Sequence, residues 1–125
     1  MKRVVVTGMG IVSSIGTDVN SVESSLRVGK SGIEFSEEYQ QLGFRSQVMG
    51  SIEIDLDALI DRKLKRFMGD SAAFNYIAMR EALERCGLNE SQISNPRTGI
   101  VVGSGGGSPE NTVAAADLLR EKGVK

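Results

Sequence analysis

Two short β-branched segments constrain what this chain can fold into more than any other feature. Arg3-Val-Val-Val-Thr7 and Gly99-Ile-Val-Val-Gly103 are apolar along their length instead of alternating. That pattern belongs to strands covered on both faces. Each segment runs into a glycine turn, Gly8-Met9-Gly10 in one case and Ser104-Gly105-Gly106-Gly107 in the other, and then into a helical pattern. Strands alternating with helices predict an α/β fold with a mostly parallel sheet. Two strands do not complete such a sheet, because both faces need cover. The expectation is therefore one incomplete domain over residues 1–125, its missing strands supplied by a later segment or another copy.

Local signals place the helices. Asn20-Ser-Val-Glu23 fits a capping box and predicts a helix from Asn20 to about Val28, with Gly29 as the left-handed C′ residue. Residues 32–54 read as loop with short strands, Arg45–Ile54 among them. Leu56–Met68 contains a short amphipathic helix that ends in a bend at Gly69. Asp70 is placed to cap a long helix reaching Cys86, with Gly87 closing it. Asn95-Pro96 marks a turn. Ser108-Pro109 supplies an N-cap and N1 pair for a last helix to about Arg120.

The 125 residues are enough for one core, and the formal net charge of −1 gives no global field toward nucleic acid or membrane. The longest apolar runs are strand-sized, far below the ~18 residues of a membrane span. Met1-Lys2-Arg3 leads straight into a strand, not a signal peptide, so the cytoplasm is the expected compartment. There is no histidine, so no Ser-His or Cys-His pair can be built from this chain alone. Cys86 is the single cysteine, which excludes an internal disulfide and a multi-cysteine metal site. It reads as a small apolar helix residue. Glu37-Glu38 and Asp55/Asp57 read as exposed solubilising charges, not as a paired-carboxylate site.

Three motifs are candidates for chemistry. Gly8-Met-Gly10-Ile-Val-Ser13 mimics the opening of a dinucleotide fingerprint. Its third glycine is serine, its helix starts late, and no acid ends a second strand at the required spacing. Ser104-Gly105-Gly106-Gly107-Ser108-Pro109 follows a strand and precedes a helix. Three missing side chains let a substrate or another backbone approach, but Gly-Lys-Ser/Thr is absent, so it is not a P-loop. The plainer alternative is a tight turn. Arg62, Lys63, Lys65 and Arg66 fall within one helical turn, with Arg62 and Arg66 at i,i+4 and Lys63 and Arg66 at i,i+3. Leu64, Phe67 and Met68 are expected to face the core. Such a patch suits an acidic protein surface or a phosphate group, or it is simply a solvated face.

Residues 3–16, Leu59–Met68 and Asn95–Pro109 together resemble the β-ketoacyl-[acyl carrier protein] synthase family of fatty-acid elongation. The latter two segments most resemble its type I branch. Gly105-Gly106-Gly107 carries most of the distinction from the type II branch. The resemblance implies a thiolase-like α/β/α/β/α layered fold, of which this chain is most of the first half. It implies an acyltransferase that works as a cytoplasmic homodimer. A cysteine accepts an acyl chain from acyl carrier protein, and two histidines assist decarboxylation of malonyl-carrier protein. The carbanion then attacks the thioester. No organic cofactor is implied beyond the carrier's phosphopantetheine arm.

The resemblance also implies that those three catalytic residues lie beyond the matched stretch, so this chain alone is inactive. Cys86 does not match the nucleophile's motif. Arg62, Lys63 and Arg66 match the basic residues that receive the acidic carrier. Lys122 and Lys125 look like a second basic contact, next to a small deletion. Ser104, Gly105, Gly106 and Gly107 resemble a wall of the acyl pocket near the dimer interface. Two other readings stand beside this one: a non-catalytic ketosynthase-like segment that binds carrier protein or a subunit, and a small nucleotide-binding domain.

Overall fold

A computed structural model describes residues 2–124. In order along the chain are α1 (Val19–Val28), β1 (Glu34–Phe35), α2 (Glu37–Gln41), β2 (Val48–Met49), α3 (Leu56–Leu59), α4 (Arg62–Lys65), α5 (Asp70–Arg85), α6 (Glu90–Ile93) and α7 (Pro109–Lys122). They fall into two compact units. One holds Met1–Asp55 with Asn75–Gly87, the other Leu56–Phe74 with Leu88–Lys125.

In the first unit, the turn after the leading β-branched segment lies directly on α5. A Cβ on Gly8 would sit 2.3 Å from the Ala82 carbonyl oxygen, and one on Gly10 only 1.8 Å from that of Ala78. Both glycines are there because helix backbone occupies the space a side chain would need. The helix α1 that follows is capped by Asp18, whose carboxylate accepts the N–H groups of Asn20 and Ser21 at 2.9 and 3.0 Å. In return the Asp18 N–H donates to the Ser21 hydroxyl oxygen. The expected cap, Asn20 with Glu23, is thus two residues too late. Two overlapping boxes compete in the sequence, and Asp18 wins, its carboxylate reaching two orphan amides at once. Glu23 pairs with Arg27 one turn on instead. Gly29 closes α1 in the left-handed conformation at φ 66°, as expected.

The antiparallel pair β1–β2, with Glu34 opposite Met49 and Phe35 opposite Val48, encloses α2. This is the loop with short strands read from the sequence. Buried Ser36 caps α2 through the Tyr39 N–H, and Tyr39 and Phe44 meet edge to face at 5.1 Å.

In the second unit, the short helix expected within Leu56–Met68 is instead two single turns. Asp61 interrupts it by capping α4 through the Lys63 N–H at 2.8 Å. Asp70 is the first residue of α5, not its cap; the Gly69 carbonyl accepts the Ala73 N–H at 3.0 Å. From Asn75 to Gly87 the chain belongs to the first unit. On α5, Ala73 in the second unit and Ile77 in the first, spaced i,i+4, are both buried. Gly87 follows the end of α5 with φ 71°. Asn89 and Gln92 form a capping box around α6, a signal the sequence reading passed over. Ser108 caps α7 through Asn111, with Pro109 at N1, as the sequence predicts.

The two β-branched segments correct the expectation that they are buried strands. Neither enters a ladder among the described residues. Val4 is 95% exposed and Val101 97%. A doubly apolar strand is covered only by neighbouring strands and packing helices, and within this chain those partners are not assembled on either segment.

Candidate functional site

Arg62, Lys63 and Arg66 are brought together by one helical turn. The Arg66 N–H reaches back to the Arg62 carbonyl at 3.3 Å, which realises the i,i+4 spacing. All three residues are exposed. The Arg66 guanidinium rests 4.4 Å from the centroid of the Phe67 ring. Lys65 points its charge elsewhere, into an ion pair with Asp57 at 2.8 Å. Like charges at i,i+4 oppose helix formation by a few tenths of a kcal/mol. Asp61 offsets this by placing an anion at the start of the turn. The result is a short turn presenting three cations to solvent, held by an N-cap and a stacked ring.

Leu64 and Phe67 do not face a core as expected. Both are exposed, Phe67 at 76%, because a single turn has too little length to bury one face. The cationic turn is therefore bordered by apolar side chains. Lys122 stands on a different helix, in the last turn of α7, where a cation also favours the helix dipole. Lys125 lies outside the described residues.

The loop Ser104–Gly107 is exposed, and the Ser104 hydroxyl donates to the Gly106 carbonyl at 2.6 Å. A Cβ placed on Gly105, Gly106 or Gly107 meets nothing within 4 Å, and none of the three has a left-handed φ. Nothing among the described residues demands glycine at these positions.

The dinucleotide-like turn has its anion supplied internally. The carboxylate of Glu81, on α5, accepts the Ile11 N–H at 3.1 Å and the Val19 N–H at 2.9 Å. The glycines Gly8 and Gly10 are explained by their close approach to the α5 backbone, without a bound phosphate. Glu81 was missed in the sequence; only its i,i+4 spacing to Arg85 hinted at a structured carboxylate. Among the described residues, no cluster of His, Cys, Asp and Glu could hold a metal ion. Cys86 is half-buried, with its thiol toward the Leu83 carbonyl at 3.0 Å.

Residues 1–124 match the family Beta-ketoacyl synthase, N-terminal domain, and the chain belongs to that family. It is 51% identical to 3-oxoacyl-[acyl-carrier-protein] synthase 1 of Haemophilus influenzae and 48% identical to that of Escherichia coli strain K12. Both alignments take in 100% of this chain and 31% of the relative, so the chain spans about a third of the length of the relatives it matches. Against a 3-oxoacyl-[acyl-carrier-protein] synthase 2 of Vibrio cholerae the identity falls to 33%. The similarity is thus to synthase 1 over synthase 2, as the glycine loop suggested. The crystal structure of a beta-ketoacyl synthase from Burkholderia phymatum superposes with a TM-score of 0.76 at 30% identity, over 99% of this chain and 31% of that one. The fold is therefore of the thiolase-like ketosynthase kind.

Proposed function

We propose that this chain is the amino-terminal part of a 3-oxoacyl-[acyl carrier protein] synthase, a condensing acyltransferase of fatty-acid elongation. The observation that carries this reading is 51% identity to a synthase 1 over the whole chain. In that reaction an enzyme thiolate takes the acyl group from the carrier's thioester, and the carrier thiol leaves. Malonyl-carrier protein then loses CO2, and its carbanion displaces the enzyme thiolate. The product is a 3-oxoacyl chain two carbons longer. The nucleophile and its histidines belong to polypeptide outside these residues, since the chain has no histidine and Cys86 sits against a helix carbonyl.

The part assigned to this chain is recognition. Arg62, Lys63 and Arg66 receive the acidic surface of acyl carrier protein, with Lys122 and Lys125 as a second contact. The exposure of the cationic turn, its apolar border and its tolerance of like-charge repulsion support this. Ser104–Gly107 forms part of the acyl-pocket wall beside a dimer partner. Three consecutive glycines that no neighbour and no positive φ require suit a close approach from outside the chain. The layered α/β/α/β/α arrangement, with this chain as most of its first half, the homodimer and the cytoplasmic location complete the proposal. No cofactor is proposed beyond the carrier's phosphopantetheine arm. No helix among the described residues is long and apolar enough to cross a membrane.

The test is carrier binding by the synthase that contains this segment. Lys63→Glu with Arg66→Glu should weaken the affinity at least about tenfold, and raising salt should weaken the parent in the same direction. Affinity unchanged by both treatments would remove the docking assignment.

A further inference from the structure

Residues 11–19 form a strap whose two ends meet on one side chain. Glu81 Oε2 accepts the Ile11 N–H and Glu81 Oε1 accepts the Val19 N–H, across 70 and 62 residues of sequence. Between these ends the strap closes on itself, with Ser13 and Gly16 exchanging backbone hydrogen bonds of 2.9 and 3.2 Å. Its middle is held by buried Ser25, whose hydroxyl donates to the Ile15 carbonyl at 2.6 Å. The strap lines a polar cleft of about 370 Å³ together with Ser21, Ser25 and Lys30.

The Glu81 side chain is only 17% exposed, and the cation that steadies it is Arg85. One guanidinium nitrogen of Arg85 reaches Glu81 Oε1 at 3.5 Å, and the other reaches the Asn20 side-chain oxygen at 3.4 Å. The Val19 amide is one of the orphan donors at the start of α1, so the anion also faces a helix N-terminus.

We propose that Glu81 is the latch of this strap: one carboxylate fastens both ends to α5, and its loss releases those two ends together while Ser25 still holds the middle at Ile15 and the rest of the fold persists. Charge-assisted bonds to part-buried amides are among the stronger local fastenings, and each oxygen here serves a different end. The two oxygens are not equivalent. Among the described residues, Oε1 takes donors from both Val19 and Arg85, whereas Oε2 takes only the Ile11 N–H. A glutamine at this position therefore keeps its oxygen toward Val19 and turns its NH2 toward Ile11.

Amide hydrogen exchange in the protein that carries this chain tests the latch without any carrier or substrate. A failure here is thereby separate from a failure of the functional reading. Glu81→Ala should speed exchange at both Ile11 and Val19 roughly tenfold or more, with amides inside α7 unchanged. Glu81→Gln should speed Ile11 alone. If the alanine variant does not fold, the glutamine variant decides by itself. Unchanged rates at both amides, or a uniform rise that includes α7, would overturn the proposal.

Discussion

The chain carries two glycine turns, each directly after a β-branched segment, and they are glycine-rich for opposite reasons. Gly8 and Gly10 are pressed onto α5, where the Ala82 and Ala78 carbonyl oxygens fill the places of their missing side chains. A Cβ on Gly105, Gly106 or Gly107 would meet nothing within 4 Å. The first turn is built by its own chain, and the second is left open to whatever lies outside it. Composition does not distinguish the two, because a glycine chosen for internal packing and one chosen for an external approach are written alike.

The sharpest way to break this contrast is to give each turn a methyl group. Gly10→Ala forces a Cβ into backbone that has no rotamer to move, so the expected loss is about 3 kcal/mol or more, read by denaturant melting. Gly8→Ala should follow closely. Retention of full stability would show that the turn is not pinned to α5.

Next in size come the β-branched segments. Within the whole synthase, the amides of Val4–Val6 and Ile100–Val102 should exchange slowly, and in residues 1–125 alone they should exchange as fast as exposed loop. Equal protection in both forms would mean that this chain covers them itself.

A smaller effect is expected at the α1 cap. Asp18→Ala should cost about 1 kcal/mol. Bonds from the Ser21 backbone and hydroxyl, then the Asn20 backbone and the Arg85 charge, hold the Asp18 carboxyl below its ordinary value of 3.8. A depressed folded-state value stabilises above the unfolded carboxyl range and is lost as the pH falls through the folded value. Stability should therefore drop below about pH 4. Asp18→Asn, which still caps, should flatten this acid limb in a pH series of melts. An unaltered limb would assign it to other carboxylates.

The smallest effect belongs to the open turn. Gly106→Ala should leave the stability of the chain unchanged or raise it by about 0.4–1 kcal/mol, through fewer unfolded conformations. On the proposed reading of Ser104–Gly107 as acyl-pocket wall, the same methyl group in the full-length protein should shift acyl-chain preference toward shorter substrates. A clear loss of stability in the chain alone would mean that the turn has a local partner.

Much of this was legible from the residues. Gly29, Gly87 and the Ser108-Pro109 pair end or start helices through one- or two-residue chemistry, which sequence states directly. The N-cap of α1 was misplaced because Asp18–Ser21 and Asn20–Glu23 are both acceptable boxes, and only the reach of the Asp18 carboxylate to two amides decides between them. Leu64 and Phe67 were assigned to a core on helical periodicity, but the Asp61 cap cuts the helix to a single turn and leaves them outside. Glu81 was invisible as a latch because its partners are backbone amides far away in sequence, and backbone carries no residue identity. The cationic cluster was legible as a patch. Its reading as a carrier surface came from the family, since spacing alone also fits a solvated face.

The most direct test of the account is a product assay on the synthase that contains this segment, supplied with acyl- and malonyl-carrier protein. Mass spectrometry of the carrier arm should find a 3-oxoacyl chain two carbons longer than the donor, with one CO2 released per condensation. An intact donor chain and no CO2 beyond background would contradict the assignment to chain elongation.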